Sequence, residues 1–166
     1  MLKYKFAKIS DIDDLIKLMD NTKYISYLYP EKSVDEIKKL IIKSMSYKKY
    51  ILLFDSNKLI GYFIISPINN NLKDVPKKIK LNKNYAYHSG IGIHSNYRNK
   101  GLATKLTRYA FRKAKSLGYL GMYADVGSDN KSSINLQKKV GFEELVRYTS
   151  LSRKKGIKNI VFQIKF

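Results

Sequence analysis

Residues 85–117 constrain the fold more than any other stretch. "YAYHSGIGIH" reads as a strand, and it runs through "SNYRNKG" straight into "GLATKLTRYAFRKAKSL". In that second segment Leu102, Leu106, Tyr109, Ala110 and Leu117 fall near one side of a helix, and Gly118 supplies the stop. A strand feeding a helix through a glycine turn, with a further strand "YLGMYADV" after it, puts strand-helix-strand units at the centre of the chain. That class of arrangement is α/β to α+β.

The flanks extend the pattern. "YKFAKI" reads as a first strand, and Ile12, Leu15, Ile16 and Met19 follow as the stripe of an amphipathic helix, with Asp11, Asp13 and Asp14 crowding its first turn. A second helix opens at "SVDE", where Ser33 and Glu36 form a capping box before Ile37, Leu40, Ile41 and Met45. "YILLF" and "LIGYFII" make a hairpin about "DSNK". Residues 67–84 carry two prolines and five asparagines without a steady period, and read as a long loop. Past the central unit, "SDNKSSINLQKKV" reads as a short helix closed by Gly141, and "FEELVRYTSL" and "IKNIVFQIKF" as two strands about "SRKKG". The sum is seven strands and four helices in one domain spanning residues 1–166, a length sufficient for a hydrophobic core.

Composition removes several chemistries. With no cysteine, disulfides, zinc-thiolate sites and cysteine nucleophiles are excluded. His88 and His94 are the only imidazoles, which leaves little from which to build a metal centre. The charged N-terminal stretch is no secretory signal, and no apolar run has the length of a membrane span, so the chain reads as soluble and cytoplasmic. Thirty-three basic against 13 acidic side chains give a net charge of +20. This fits a polyanionic partner, an anionic cofactor, or a basic surface that reflects a Lys-, Asn-, Ile- and Tyr-rich composition. Basic runs such as "PKKIKLNK" lack the interleaved aromatics of a nucleic-acid stacking platform.

The glycine turn carries the most specific chemistry. The first amides of a helix lack internal acceptors, and the dipole makes that end positive. Gly101 removes a Cβ from the approach, and Arg98 and Lys100 add charge, so the amides from about Asn99 to Thr104 are able to ring a diphosphate. A plain tight turn is the alternative that the residues themselves leave open. The Walker and dinucleotide glycine patterns are both absent.

"RNKGLA" fits Arg/Gln-x-x-Gly-x-Gly/Ala, and "DNKSSINLQKKVGF" follows it with Asn130, Leu136, Lys139, Gly141 and Phe142 in register with a second motif. Together they resemble the GCN5-related N-acetyltransferase (GNAT) superfamily, in motif over residues 88–142 and in element order over nearly the whole chain. The resemblance implies a mixed, mostly antiparallel seven-stranded sheet flanked by four helices, with a splayed central strand pair. It implies acetyl-CoA as cosubstrate, with no metal, and direct attack of a neutral primary amine of a small molecule or peptide on the thioester.

By the same resemblance, the backbone of Ile91 and Ile93 meets the pantetheine arm, and the Ile93 amide faces the thioester oxygen. Arg98, Asn99, Lys100, Gly101, Leu102, Ala103 and Thr104 take the diphosphate. Asn130 contacts the pantetheine arm, or serves as a helix cap. Asp125 is the leading base and His88 the second, each with a structural role as its alternative. The position at which the family often has an acidic tyrosine holds Gln137, which cannot donate a proton as an acid; a water or another tyrosine, such as Tyr148, then becomes the source. Substrate choice falls to residues 10–46 and 150–157. The positive charge disfavours polyamines and leaves acidic or neutral amine acceptors open. A homodimer is compatible with this reading. A weakly catalytic acyl-CoA sensor and a basic nucleic-acid-binding module stand as the competing functions.

Overall fold

Ser33 and Glu36 form the capping box that their spacing predicts. The Glu36 amide donates to Ser33 Oγ at 3.3 Å, and the Ser33 amide donates to Glu36 Oε2 at 2.9 Å. In this computed structural model, which describes residues 1–68, 72–149 and 157–166, the pair opens helix α3, Val34–Ser44. Before it come β1 (Leu2–Phe6), α1 (Ile12–Asn21) and α2 (Tyr24–Leu28). After it come β2 (Lys49–Asp55), β3 (Lys58–Pro67), β4 (Tyr85–Ile93), α4 (Leu102–Ser116), β5 (Gly121–Gly127), α5 (Lys131–Val140), β6 (Glu143–Tyr148) and β7 (Asn159–Lys165).

The fold is mixed α/β, with an open, mostly antiparallel sheet of seven strands in the order β1-β2-β3-β4-β5-β7-β6. β4 pairs with β5 in parallel, in a register of Tyr85–Tyr87 against Gly121–Tyr123. β4 itself runs on to Ile93. Four long helices appear as expected. The five-residue α2 was not legible, because "NTKYISYLYPEK" has too short a turn to show a period. The expected strand "YKFAKI" begins earlier and ends at Phe6, since Ile9–Asp11 form a 3-10 turn leading into α1. Leu117, placed on the apolar side of α4, lies just beyond its end and is 43% exposed. The turn "SRKKG" lies outside the described residues.

The chain forms two compact units, each made of two segments. The first comprises Met1–Ser66 and Ser89–Ala110. Its core joins Ile12, Leu15, Leu18 and Met19 of α1 and Ile37 and Ile41 of α3 to Tyr50, Leu52, Tyr62 and Ile64 of β2 and β3. Each such buried side chain contributes about 1.5–3 kcal/mol. On the other face of β3 and β4, a Cβ at Gly61 would meet Ile93 and Leu106, which shows how closely α4 packs there.

The second unit comprises Pro67–His88 and Phe111–Phe166. Leu72 and Val75 are buried with Tyr123, Tyr148 and Val161, and Ile79 and Leu81 pack against them. The aperiodic 67–84 segment is therefore anchored on the sheet in its described part. Phe111 meets Phe142 and Phe166, with ring centroids 5.5 and 5.6 Å apart. Gly118 (φ 90°) and Gly141 (φ 99°) end their helices in the left-handed conformation that favours glycine.

Candidate active site

In the first unit, β4 ends at Ile93 and the chain turns through Ser95–Tyr97 into the loop before α4. Asn99 (φ 61°) and Gly101 (φ 71°) both take left-handed backbone, which asparagine and glycine tolerate best. Arg98 folds back so that its Nε donates to the Ile93 carbonyl at 3.2 Å, tying the loop to the strand end. The helix ladder starts only at Lys105, whose amide donates to Gly101 at 3.1 Å. The amides of Asn99, Lys100, Gly101, Leu102, Ala103 and Thr104 have no acceptor among the described residues. A Cβ on Gly101 would meet nothing within 4 Å, so the loop opens outward there. Lys100 and Lys58 both place their ammonium groups over the Tyr97 ring, 5.4 and 5.6 Å from its centroid. Consecutive donors, added positive charge and open space are the properties that a diphosphate needs, and the loop fits the one carried by acetyl-CoA.

Side-chain packing accounts for the strand glycines Gly90 and Gly92. A Cβ on Gly90 would lie 2.6 Å from the Tyr24 ring, and one on Gly92 would lie 2.4 Å from the edge of the Tyr62 ring. They admit two tyrosines onto β4. Tyr24 donates to the Ser89 carbonyl at 3.3 Å, and Tyr62 bonds Thr22 at 2.9 Å. Ile91 is half-buried between these glycines and Ile93 is buried.

The second unit holds the remaining predicted residues. His88 and Gln137 are brought together, with Gln137 Nε2 3.4 Å from His88 Nδ1. Gln137 is 1% exposed and His88 8% exposed, so the position where the family often has an acidic tyrosine carries a buried polar pair. Asn130 caps α5, its Oδ1 accepting the Ser133 amide at 3.0 Å.

Asp125, on β5, accepts the Tyr148 hydroxyl at 3.0 Å and the Asn159 side-chain amide at 2.9 and 2.7 Å. Burial pushes the Tyr148 hydroxyl pKa up, and the Asp125 charge and hydrogen bond push it further, with Asn159 opposing and the Asp74 charge adding. Tyr148 therefore keeps its proton at neutral pH and directs it at Asp125, which makes it a poor acid for a leaving thiolate. Asn159 and Asp74 were not singled out in the sequence. Asn159 lies 34 residues from Asp125 and becomes its neighbour only through the antiparallel pairing of β5 with β7. Among the described residues no cluster of three or more potential metal ligands forms, and no helix is long and apolar enough to cross a membrane.

A model of the acetyltransferase (GNAT) family matches residues 12–142, and the chain belongs to that family. Its reaction is acetyl-CoA-dependent acetyl transfer. No curated protein matches in sequence. Solved structures do match in fold. A spermidine N-acetyltransferase chimera from Vibrio cholerae and hSSAT is 21% identical, with a TM-score of 0.76 over 99% of this chain and 95% of that one. The ribosomal-protein-S18-alanine N-acetyltransferase from Escherichia coli is 13% identical, with a TM-score of 0.73 over 99% and 94%. The yncA protein of Salmonella typhimurium, solved with its cofactor acetyl-CoA, is 17% identical, with a TM-score of 0.70 over 99% and 93%.

Proposed function

We propose that the chain moves the acetyl group of acetyl-CoA to the primary amine of a small molecule or peptide in the cytoplasm. The observation that carries this reading is the run of six amides, Asn99–Thr104, without an acceptor among the described residues, on a loop with two left-handed residues and the first turn of α4. Two of the similar structures are named for amine acceptors, spermidine and a ribosomal-protein alanine.

Bound acetyl-CoA supplies an activated acetyl thioester. The chain's own residues do the rest. Amides 99–104 bind the diphosphate, with Arg98 and Lys100 adding charge. The backbone of Ile91 and Ile93 orients the pantetheine arm, and the Ile93 N–H serves the carbonyl oxygen as negative charge develops on it. Asp125 takes the proton of the acceptor amine, directly or through water. The hydrogen bonds from Tyr148 and Asn159 hold the carboxylate in one orientation for that role. His88 is the second candidate for the proton, with Gln137 beside it. Asn130 adds a contact to the pantetheine arm beyond its capping role. Thiolate release needs no strong acid, because a thiol of ordinary pKa is about 8.5.

Release of free thiol from acetyl-CoA in the presence of an amine panel tests the reading. Arg98→Ala is expected to raise the KM for acetyl-CoA. Asp125→Asn is expected to lower kcat about 100-fold or more, with little change in that KM. Normal turnover by Asp125→Asn refutes the base assignment. Tight acetyl-CoA binding without thiol release across the panel favours the sensor reading instead.

A further inference from the structure

Strand β4 has two edges, and its backbone tells them apart. The His94 amide, just past the strand end, donates to the Ile60 carbonyl at 2.8 Å, so His94 turns its backbone groups toward β3. The Gly92 carbonyl lies on that side as well, beside Gly61 of β3. Backbone groups alternate in direction along a strand. Ile93, Ile91 and Ser89 therefore turn theirs to the opposite edge, the one along which the pantetheine arm is read to run. The diphosphate loop follows the C-terminal end of β4, so an arm entering at Ile93 points its acyl group down the strand toward Ser89.

Tyr24 stands at that point. Its hydroxyl donates to the Ser89 carbonyl at 3.3 Å, and its ring occupies the space that a side chain on Gly90 would need. Ser89, Gly90, Ile91 and Tyr24 are all half-buried, so the ring borders space that is reached from outside and not sealed core. The chain holds it there under strain. Lys23, the residue before it, has φ 64°, a left-handed backbone that a lysine keeps only where its surroundings impose it. The ring also packs edge-on against Tyr62, with centroids 5.7 Å apart, and Tyr62 bonds Thr22 at 2.9 Å. Tyr24 is thus a fixed feature of the strand edge, held from both sides.

Length decides what such a stop does. Ser89 lies four residues back from Ile93, about 13 Å of extended strand. An acetyl group with its carbonyl oxygen at the Ile93 amide ends well short of Tyr24. An eight-carbon acyl chain laid along the same edge runs into the tyrosine. We infer that Tyr24 sets the acyl length the protein accepts, by closing the edge of β4 at Ser89. The inference rests on the reading of β4 as the strand that carries the arm, and it restricts the donor to short acyl thioesters. It makes Tyr24 a specificity-determining residue for the acyl group.

Calorimetric titration of the wild-type protein with CoA, acetyl-CoA, butyryl-CoA and octanoyl-CoA tests this without an acceptor. The expected result is similar affinity for acetyl-CoA and butyryl-CoA, and an affinity for octanoyl-CoA lower by about tenfold or more. Octanoyl-CoA binding as tightly as acetyl-CoA, or more tightly, overturns the inference. Tyr24→Ala should bring octanoyl-CoA to within about twofold of acetyl-CoA. A wild-type ratio in that variant overturns it too, even if all four ligands bind more weakly, because a merely structural role moves them together. If Tyr24→Ala fails to fold, Tyr24→Phe decides. It keeps a ring against Gly90 and takes the hydroxyl off the strand edge, so the octanoyl penalty should shrink by about threefold. An unchanged penalty in Tyr24→Phe then overturns the inference. Failure of the wild-type protein to bind any of the four removes the parent reading, a result distinct from equal binding of all four.

Discussion

Replacing Gly101 separates two reasons for having glycine at the mouth of α4. The residue sits at φ 71°, and a Cβ built on it meets no atom within 4 Å. In the free protein the penalty of Gly101→Ala is therefore conformational and not steric. A left-handed backbone costs a residue with a Cβ about 1–2 kcal/mol. For a domain of this size, about 2–4 °C of Tm per kcal/mol converts that to a fall of about 2–8 °C. Gly101→Asn should cost less than Gly101→Ala, because asparagine tolerates the left-handed region, as Asn99 does at φ 61° two residues earlier. Binding should rank the variants differently. If the diphosphate lies against the open face of Gly101, the larger asparagine side chain intrudes on it, and affinity for CoA falls further in Gly101→Asn than in Gly101→Ala. Thermal unfolding by circular dichroism gives the first ranking, and calorimetric titration with CoA gives the second. Alanine that costs no stability, or asparagine that costs more than alanine, refutes the conformational argument. CoA affinity unchanged in both variants removes the diphosphate from this loop.

Two further outcomes follow from local geometry. Gly92→Ala should destabilise the protein by about 1–3 kcal/mol in chemical unfolding, because its methyl group meets the fully buried Tyr62 ring; pairing it with Tyr62→Leu should restore part of the loss, and simple additivity would contradict the packing argument. Ser33→Ala should cost about 1 kcal/mol as a lost N-cap. The hydrogen bonds from the Ser33 amide and hydroxyl, with Lys32 adding to them, lower the Glu36 pKa in the folded state. A depressed carboxylate contributes stability above its unfolded pKa and loses it as pH falls through the folded value. The gap between wild type and Glu36→Gln should therefore be widest near neutral pH and close in acid; a gap that stays constant on acidification refutes the coupling.

What the sequence made legible is what local chemistry decides. The Ser33–Glu36 capping box, the "DSNK" hairpin and the glycines at 118 and 141 each need only neighbours within a few residues, and each forms as its spacing predicts. The glycine loop was legible for the same reason. Helix α2 was not, since five residues carry no period. Leu72 and Val75 were missed because isolated apolar residues in an aperiodic loop do not announce the surface that buries them. The environment of the candidate base lay furthest out of reach. Tyr148 and Asn159 stand 23 and 34 residues from Asp125 and meet it through strand pairing, which no local pattern specifies. Gln137 and His88, read separately as a missing acid and a spare base, are 49 residues apart and share one buried contact.

The division of both units into two chain segments has a consequence for synthesis. The first unit needs residues 89–110 to complete it, and the second needs residues as far as Phe166. A cut after Ala110 keeps every residue of the first unit but carries residues 67–88 of the second with it, so neither unit comes away without a piece of the other. On the ribosome the nascent polypeptide must hold Met1–Ser66 unfinished until the whole of 89–110 has emerged. Closure of the first unit waits for Ala110, and a truncation there leaves the second with residues 67–88 alone.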